Sequence, residues 1–394
     1  MQSGKFNIIF DQAWGSSGKG AVSTRLADFF NCVYTSSSNY PNAGHTVEND
    51  LGERFVAKAL PTTCFLKKEK GFGIQAFVSP GSGFSWKQVY SEWLSCNKPN
   101  IFIHGRANIV TDEHKLRENQ GPDSTKHVAS TMQGTATAIS DKILRKQDVL
   151  LASSHSIESV ASEILGLSKY EADEFITKVE ILDAMTFRDR VHGIIGNGHT
   201  WLHEGSQGYA LSIDHGSHYP SCTSRNCTVQ SYMDHMAIPP SMVGDVYMNL
   251  RTFPIRVGNV VEDGKTLGYS GDFYPDQKEL TWEEVAKISG MPEEERKILA
   301  ERERTTVTKR IRRVSDFSWI GLKDAVRVNG PTKICVNFIQ YLNWKDAGLK
   351  GGKEAFEKLS KESREFISKV EEISQISVVM IGTGAKHSEN ICLL

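Results

Sequence analysis

The chain has 394 residues, with 46 Lys and Arg against 47 Asp and Glu for a net charge of -1. Nothing in that balance draws it to nucleic acid or an anionic membrane, so any anion must be held by a local site. An apolar fraction of 39% and a charged fraction of 24% are those of an ordinary soluble chain. No apolar run nears the ~20 residues of a spanning helix, and the expected location is the cytoplasm.

In chain order, Lys5–Phe10 reads as a short apolar strand, Gly15–Gly20 as a glycine-rich loop, and Val22–Phe30 as a helix with Val22, Leu26 and Phe29 or Phe30 on one face. Strand, glycine loop, helix is the opening of a nucleotide-binding α/β fold. Asn42–Thr46 lies in a Pro/Gly/Asn-rich loop, which leaves His45 at least partly exposed. Further strands are predicted at Ile101–His104, Val149–Ala152, Thr200–His203, Ile334–Ile339 and Val378–Ile381, with helices at Trp282–Ser289 and Glu354–Ile373. This alternation predicts a P-loop-like fold with a large, mostly parallel central sheet flanked by helices, and no low-complexity linker divides residues 1–394. Seven scattered cysteines read as reduced thiols. His215, His218, Cys222 and Cys227 are close enough for zinc, but their spacing is that of a turn-rich loop with incidental thiols. Glu293–Arg313 is dense in charge, and Lys309–Arg313 is more basic than a solvated helix face needs.

Gly15-Ser16-Ser17-Gly18-Lys19-Gly20 can turn backbone N–H groups toward an anion beside the Lys19 charge. It departs from a strict P-loop: Ala13 stands where the first glycine belongs, and Gly20 replaces the Ser/Thr that binds magnesium. With Asn42-Ala43-Gly44-His45-Thr46, Glu204-Gly205-Ser206-Gln207-Gly208, Ile213–Gly216 with Thr223-Ser224, Thr308–Arg313 and Ile381–Gly384, in that order, the loop resembles the adenylosuccinate synthetase family over essentially the whole chain.

That resemblance implies an ATP-dependent ligase. A nucleoside triphosphate phosphorylates O6 of a purine mononucleotide, and the amine of L-aspartate then displaces the phosphate at C6. It assigns catalysis to Ser16, Lys19, His45 and Gln207. The triphosphate falls to Gly15, Ser17, Gly18, Lys19, Gly20, Gly44, His45, Thr46, Arg312, Gln340, Gly382 and Gly384. The mononucleotide falls to Ser16, Asn42, Thr131, Gln207, Thr223 and Arg310, with Arg145 reaching in from a second copy of a homodimer. Aspartate falls to Thr308, Arg310 and Arg312, and Mg2+ to Gly44 and Ser16.

Two departures set the expected specificity. Ser16 stands where the family has an aspartate that takes the N1 proton, a loss costing ~10²–10⁴-fold in an ordinary member. The family's phage branch carries this serine and acts on dGMP, making the precursor of 2-aminoadenine, so dGMP is the expected substrate. A conventional enzyme acting on IMP and a non-catalytic nucleotide-binding regulator are the alternatives. Gln340 stands in for the aspartate that reads guanine in the donor, so ATP or dATP is the expected donor.

Overall fold

The computed structural model describes residues 1–66, 73–121 and 124–394. β1 (Phe6–Asp11) is buried at every position, Asn7 and Asp11 included, as a strand covered on both faces must be. Among the described residues it is central to a ten-stranded sheet with β2 (Tyr34–Ser37), β3 (Gln75–Val78), β4 (Asn100–His104), β5 (Val179–Leu182), β6 (Trp201–Glu204), β7 (Val243–Arg251), β8 (Lys333–Asn337), β9 (Val378–Gly382) and β10 (Asn390–Cys392). The strand order is β10-β9-β8-β7-β1-β6-β2-β3-β4-β5. Every pairing is parallel except the antiparallel edge β9–β10.

Phe6, Ile8 and Phe10 pack with Trp201, Val246 and Met248 on one face of the sheet. Ile9, Leu202 and Tyr247 pack on the other against Val22 and Leu26 of α1 (Lys19–Phe29). The register pairs Ile9 with Glu204, Asp11 with Asn249 and Arg251 with Asn337. Four polar side chains, Asp11, Glu204, Asn249 and Asn337, therefore gather at the carboxyl ends of adjacent parallel strands, where open α/β sheets bind their ligands.

Three sequence expectations are corrected. Val149–Ala152 is not a strand: only Leu151 forms a bridge, to Asn108, and the chain then enters a 3-10 turn at Ala152–Ser154. The helix expected over Glu354–Ile373 is two, Lys353–Glu357 and Lys361–Ser374, because Ser360 stops to cap the second through the Ser363 amide. The strand expected to run to Ile339 ends at Asn337, where Phe338 takes φ 60° and turns the chain into Ile339–Tyr341. Among the described residues, no helix is long and apolar enough to cross a membrane.

Candidate active site

From Asp11 the chain turns through Gln12–Gly18 into α1. Gly18 starts the helix at φ 84°, a left-handed conformation that suits glycine, and no side chain caps the helix N-terminus. The first-turn N–H groups are thus left to a ligand, as at anion-binding helix starts. Strand-end groups pin the loop. Ser17 Oγ donates to Asp11, and Asn249 Nδ2 donates to Ser17 Oγ at 2.6 Å. The Ser17 carbonyl accepts from Asn249 and Asn337, each at 3.0 Å, and Arg251 donates to the Ser16 carbonyl at 2.9 Å. Ser16 itself is exposed. Lys19 is buried, with Nζ donating to the Gln207 carbonyl at 2.9 Å and lying 3.6 Å from Asp11. The ammonium thus joins the loop to the turn after β6, where Gln207 takes φ 64°.

His45, expected in a loop and at least partly exposed, is instead buried and opens the short strand His45–Glu48, paired with Arg54–Ala57. Its Nδ1 is hydrogen-bonded to Oε1 of Glu204. The other Glu204 oxygen accepts from the Thr62 hydroxyl at 2.6 Å and the Thr62 amide at 3.0 Å. Burial pushes the Glu204 carboxyl up, but the His45 pairing and the Thr62 hydrogen bonds together outweigh it and hold the group below the usual range. Gly20 brings this pair against the loop. A Cβ there would lie 2.8 Å from Thr62 Cγ2 and 3.4 Å from His45 Cβ.

The basic segment closes the other side. Arg310 Nε donates to Thr308 Oγ1 at 3.1 Å, and its NH2 donates to the Ala129 and Ser130 carbonyls, both at 2.9 Å, next to Thr131. Arg312 NH1 pairs with Glu303 at 3.1 Å. A Cβ on Gly44 would lie 2.8 Å from Thr306 Cγ2, so the Asn42–Thr46 loop abuts this segment. A Cβ on Gly382 would lie 2.1 Å from Asn337 Oδ1, which seats β9's end against the end of β8, and the Gly384 carbonyl accepts from Arg25 at 3.3 Å. The Thr223 amide donates to the Leu211 carbonyl at 2.8 Å, on the turn that follows Gln207. Among the described residues, Asn42 Oδ1, Arg310 NH1, Arg312 Nε and Gln340 Oε1 are buried without a hydrogen-bond partner. These four atoms are free to take a polar ligand.

One expected residue stands apart. Arg145 is exposed at the end of helix Thr135–Ile143, next to the exposed apolar Ile143 and Leu144. Among the described residues no group of three or more His, Cys, Asp or Glu is placed to hold a metal. Cys227 is a buried thiol pushed up to about 11 by burial. Sequence reading missed the roles of Asp11, Thr62, Asn249, Arg251, Glu303 and Asn337. For Asp11 and Asn337 a signal was present: each is a polar residue closing an apolar strand.

A glycine-rich loop with a buried lysine at the carboxyl edge of a parallel sheet, packed through Gly20 against a buried histidine–carboxylate pair, defines a nucleotide-binding α/β protein equipped for phosphoryl transfer. The family model for adenylosuccinate synthetase matches residues 8–347, and the chain belongs to that family of C–N bond-forming ligases. It is 33% identical over 346 residues to N6-succino-2-amino-2'-deoxyadenylate synthase of Salmonella phage PMBT28, covering 86% of each chain. It is 30% identical over 349 residues to the enzyme of that name from Vibrio phage phiVC8, covering 86% of this chain and 88% of the relative. A solved structure of the cyanophage S-2L succinoaminodeoxyadenylate synthetase, bound to dGMP and dATP as an energy donor, superposes with a TM-score of 0.77 at 26% identity. That match covers 98% of this chain and 95% of the other.

Proposed function

We propose that the chain joins L-aspartate to dGMP with ATP or dATP as phosphoryl donor, giving N6-succino-2-amino-2'-deoxyadenylate. The observation that carries this reading is Ser16, exposed on the phosphate loop where the family has its catalytic aspartate. A serine there leaves room beside N1 for the 2-amino group of guanine and can accept a hydrogen bond from it. The phage relatives are named for this product, and the cyanophage enzyme was solved with dGMP and dATP.

The γ-phosphoryl group passes to O6 of the base as the N1 proton leaves, and the donor departs as the diphosphate. The aspartate amine then forms the C6–N bond as the C6–O bond breaks and phosphate departs. Lys19 and the loop amides hold phosphoryl oxygens, and His45, set by Glu204, stabilises the charge that builds on the transferring group. Gln207 and Asn42 bind the base and phosphate side of dGMP, Thr131 and Thr223 its 5'-phosphate, and Arg310 its sugar. Thr308, Arg310 and Arg312 take aspartate, guanidinium–carboxylate pairing being the strong form of that contact.

Magnesium fits the site in a particular way. Asp11, the carboxylate beneath the loop, is already taken by Ser17, the Ala13 amide and Lys19. The chain therefore offers neutral oxygens, the Gly44 carbonyl and the Ser16 hydroxyl, with nucleotide phosphates supplying the negative ligands. When bound, the ion neutralises phosphate charge.

The test is aspartate-dependent phosphate release with ATP and magnesium beside dGMP, GMP or IMP. dGMP is expected to turn over and IMP hardly at all, and Ser16→Asp is expected to lower dGMP use. Comparable turnover on IMP would overturn the reading in favour of a conventional adenylosuccinate synthetase.

A further inference from the structure

Glu303 follows the last turn of helix Glu293–Arg302 and is only 3% exposed. A carboxylate so deep is costly unless every lone pair is used, and here the partners come from three separate parts of the chain. Oε1 accepts from Arg251 NH2 at 2.6 Å and from the Tyr341 hydroxyl at 3.0 Å. Oε2 accepts from Arg312 NH1 at 3.1 Å, and the Glu303 carbonyl accepts from the Arg312 amide at 3.0 Å. Although burial pushes the carboxyl up, the two guanidiniums and the phenol keep it below its usual range.

Each partner leads to a different substrate region. Arg251 donates from NH1 to the Ser16 carbonyl and lies 3.9 Å over the Phe338 ring, so it is fixed both to the glycine-rich loop and to the turn that follows β8. Tyr341 neighbours Gln340 on that turn. Arg312 keeps a buried Nε without a partner among the described residues, while its NH1 is held by Glu303. The direction of the Arg312 guanidinium is therefore set by one carboxylate that also feels the phosphate loop and the Gln340 turn.

We infer that Glu303 is a positioning residue for aspartate, aiming Arg312 and tying it to the donor-nucleotide segments. The inference rests on the assignment of Arg312 to aspartate. Glu303→Gln keeps the side chain's size but sets an amide N–H against a guanidinium, which releases Arg312 or Arg251. The aspartate KM is expected to rise about tenfold or more, while the dGMP KM stays within about twofold. Because Glu303 acts through Arg312, the double variant Glu303→Gln/Arg312→Ala is expected to match Arg312→Ala alone. Tyr341→Phe removes one hydrogen bond and is expected to raise the aspartate KM about two- to fivefold, and it carries the test if Glu303→Gln does not fold. Equal increases in all three KM values, an unchanged aspartate KM, or additive effects in the double variant would overturn the inference. An aspartate KM unmoved by Arg312→Ala would instead remove the assignment of Arg312 on which it rests.

Discussion

His45 and Glu204 form a buried pair in which Nδ1 of the ring is committed to the carboxylate. Nε2 is then the ring nitrogen open to a ligand, and Thr62 prevents the carboxylate from turning away. His45→Asn keeps a polar side chain but loses the imidazole. Its turnover on dGMP is expected to fall about 10²-fold with the dGMP dissociation constant nearly unchanged, the pattern of a contact made in the transition state. Turnover within a few-fold of wild type would remove His45 from the chemistry.

Gln340 is buried with its Oε1 unpartnered among the described residues, on the turn that Phe338 starts. A neutral amide lacks the negative charge that would select the N1 and N2 hydrogens of guanine. Initial rates with ATP or dATP are expected to equal or exceed those with GTP. A strong GTP preference would show that this turn does not read the donor base.

Arg145 projects from an exposed apolar helix end, which suits a contact between two copies. If it completes the neighbouring site, two inactive variants should rescue each other. Arg145→Ala mixed and reassembled with His45→Asn puts one whole site into each heterodimer, and about a quarter of wild-type activity is expected from random pairing. No recovery on mixing, or full activity of Arg145→Ala alone, would contradict the role.

Acid stability follows from two buried histidines, His104 and His203, and the half-buried His235. Burial pulls His235 from 6.5 down to about 3 and His104 to about 4, and it lowers His203 as well. With folded values depressed, the unfolded chain binds more protons below pH 6.5, so stability falls as the pH drops from there toward 4. Each histidine steepens that fall by up to about 1.4 kcal/mol per pH unit. Denaturant titrations from pH 7 to 4.5 should show the slope, and His235→Asn should flatten it. A slope unchanged by the variant would assign the acid sensitivity elsewhere.

The opening of the fold was legible because β1 is a short continuous apolar run and α1 sets Val22 and Leu26 one turn apart on the face that meets the sheet. β7, the longest strand of the sheet, was not, although eight of its nine residues are buried. Asp245, Asn249 and Arg251 break its apolar run, and Asn249 and Arg251 hold the glycine-rich loop by its Ser17 and Ser16 carbonyls. Val149–Ala152 shows the opposite error, an apolar run with a neighbour at Leu151 alone. In the site, local motifs pointed to the loop, His45 and the arginines. Glu303 could not be singled out, because it lies in a charged stretch and the side chains that bind it lie 9, 38 and 52 residues away.

Gly20 constrains the lineage as well as the loop. A hydroxyl residue there would complete a magnesium-gripping Lys-Ser/Thr pair, yet its Cβ would meet Thr62 Cγ2 at 2.8 Å. Thr62 cannot swing aside freely, since its hydroxyl donates to Glu204 at 2.6 Å and lies 3.1 Å from the Gly20 carbonyl. A hydroxyl residue at Gly20 therefore forces a shift of Thr62 or of the loop. The most direct relief is Thr62→Ser, which removes the clashing methyl and keeps the hydroxyl and amide that hold Glu204.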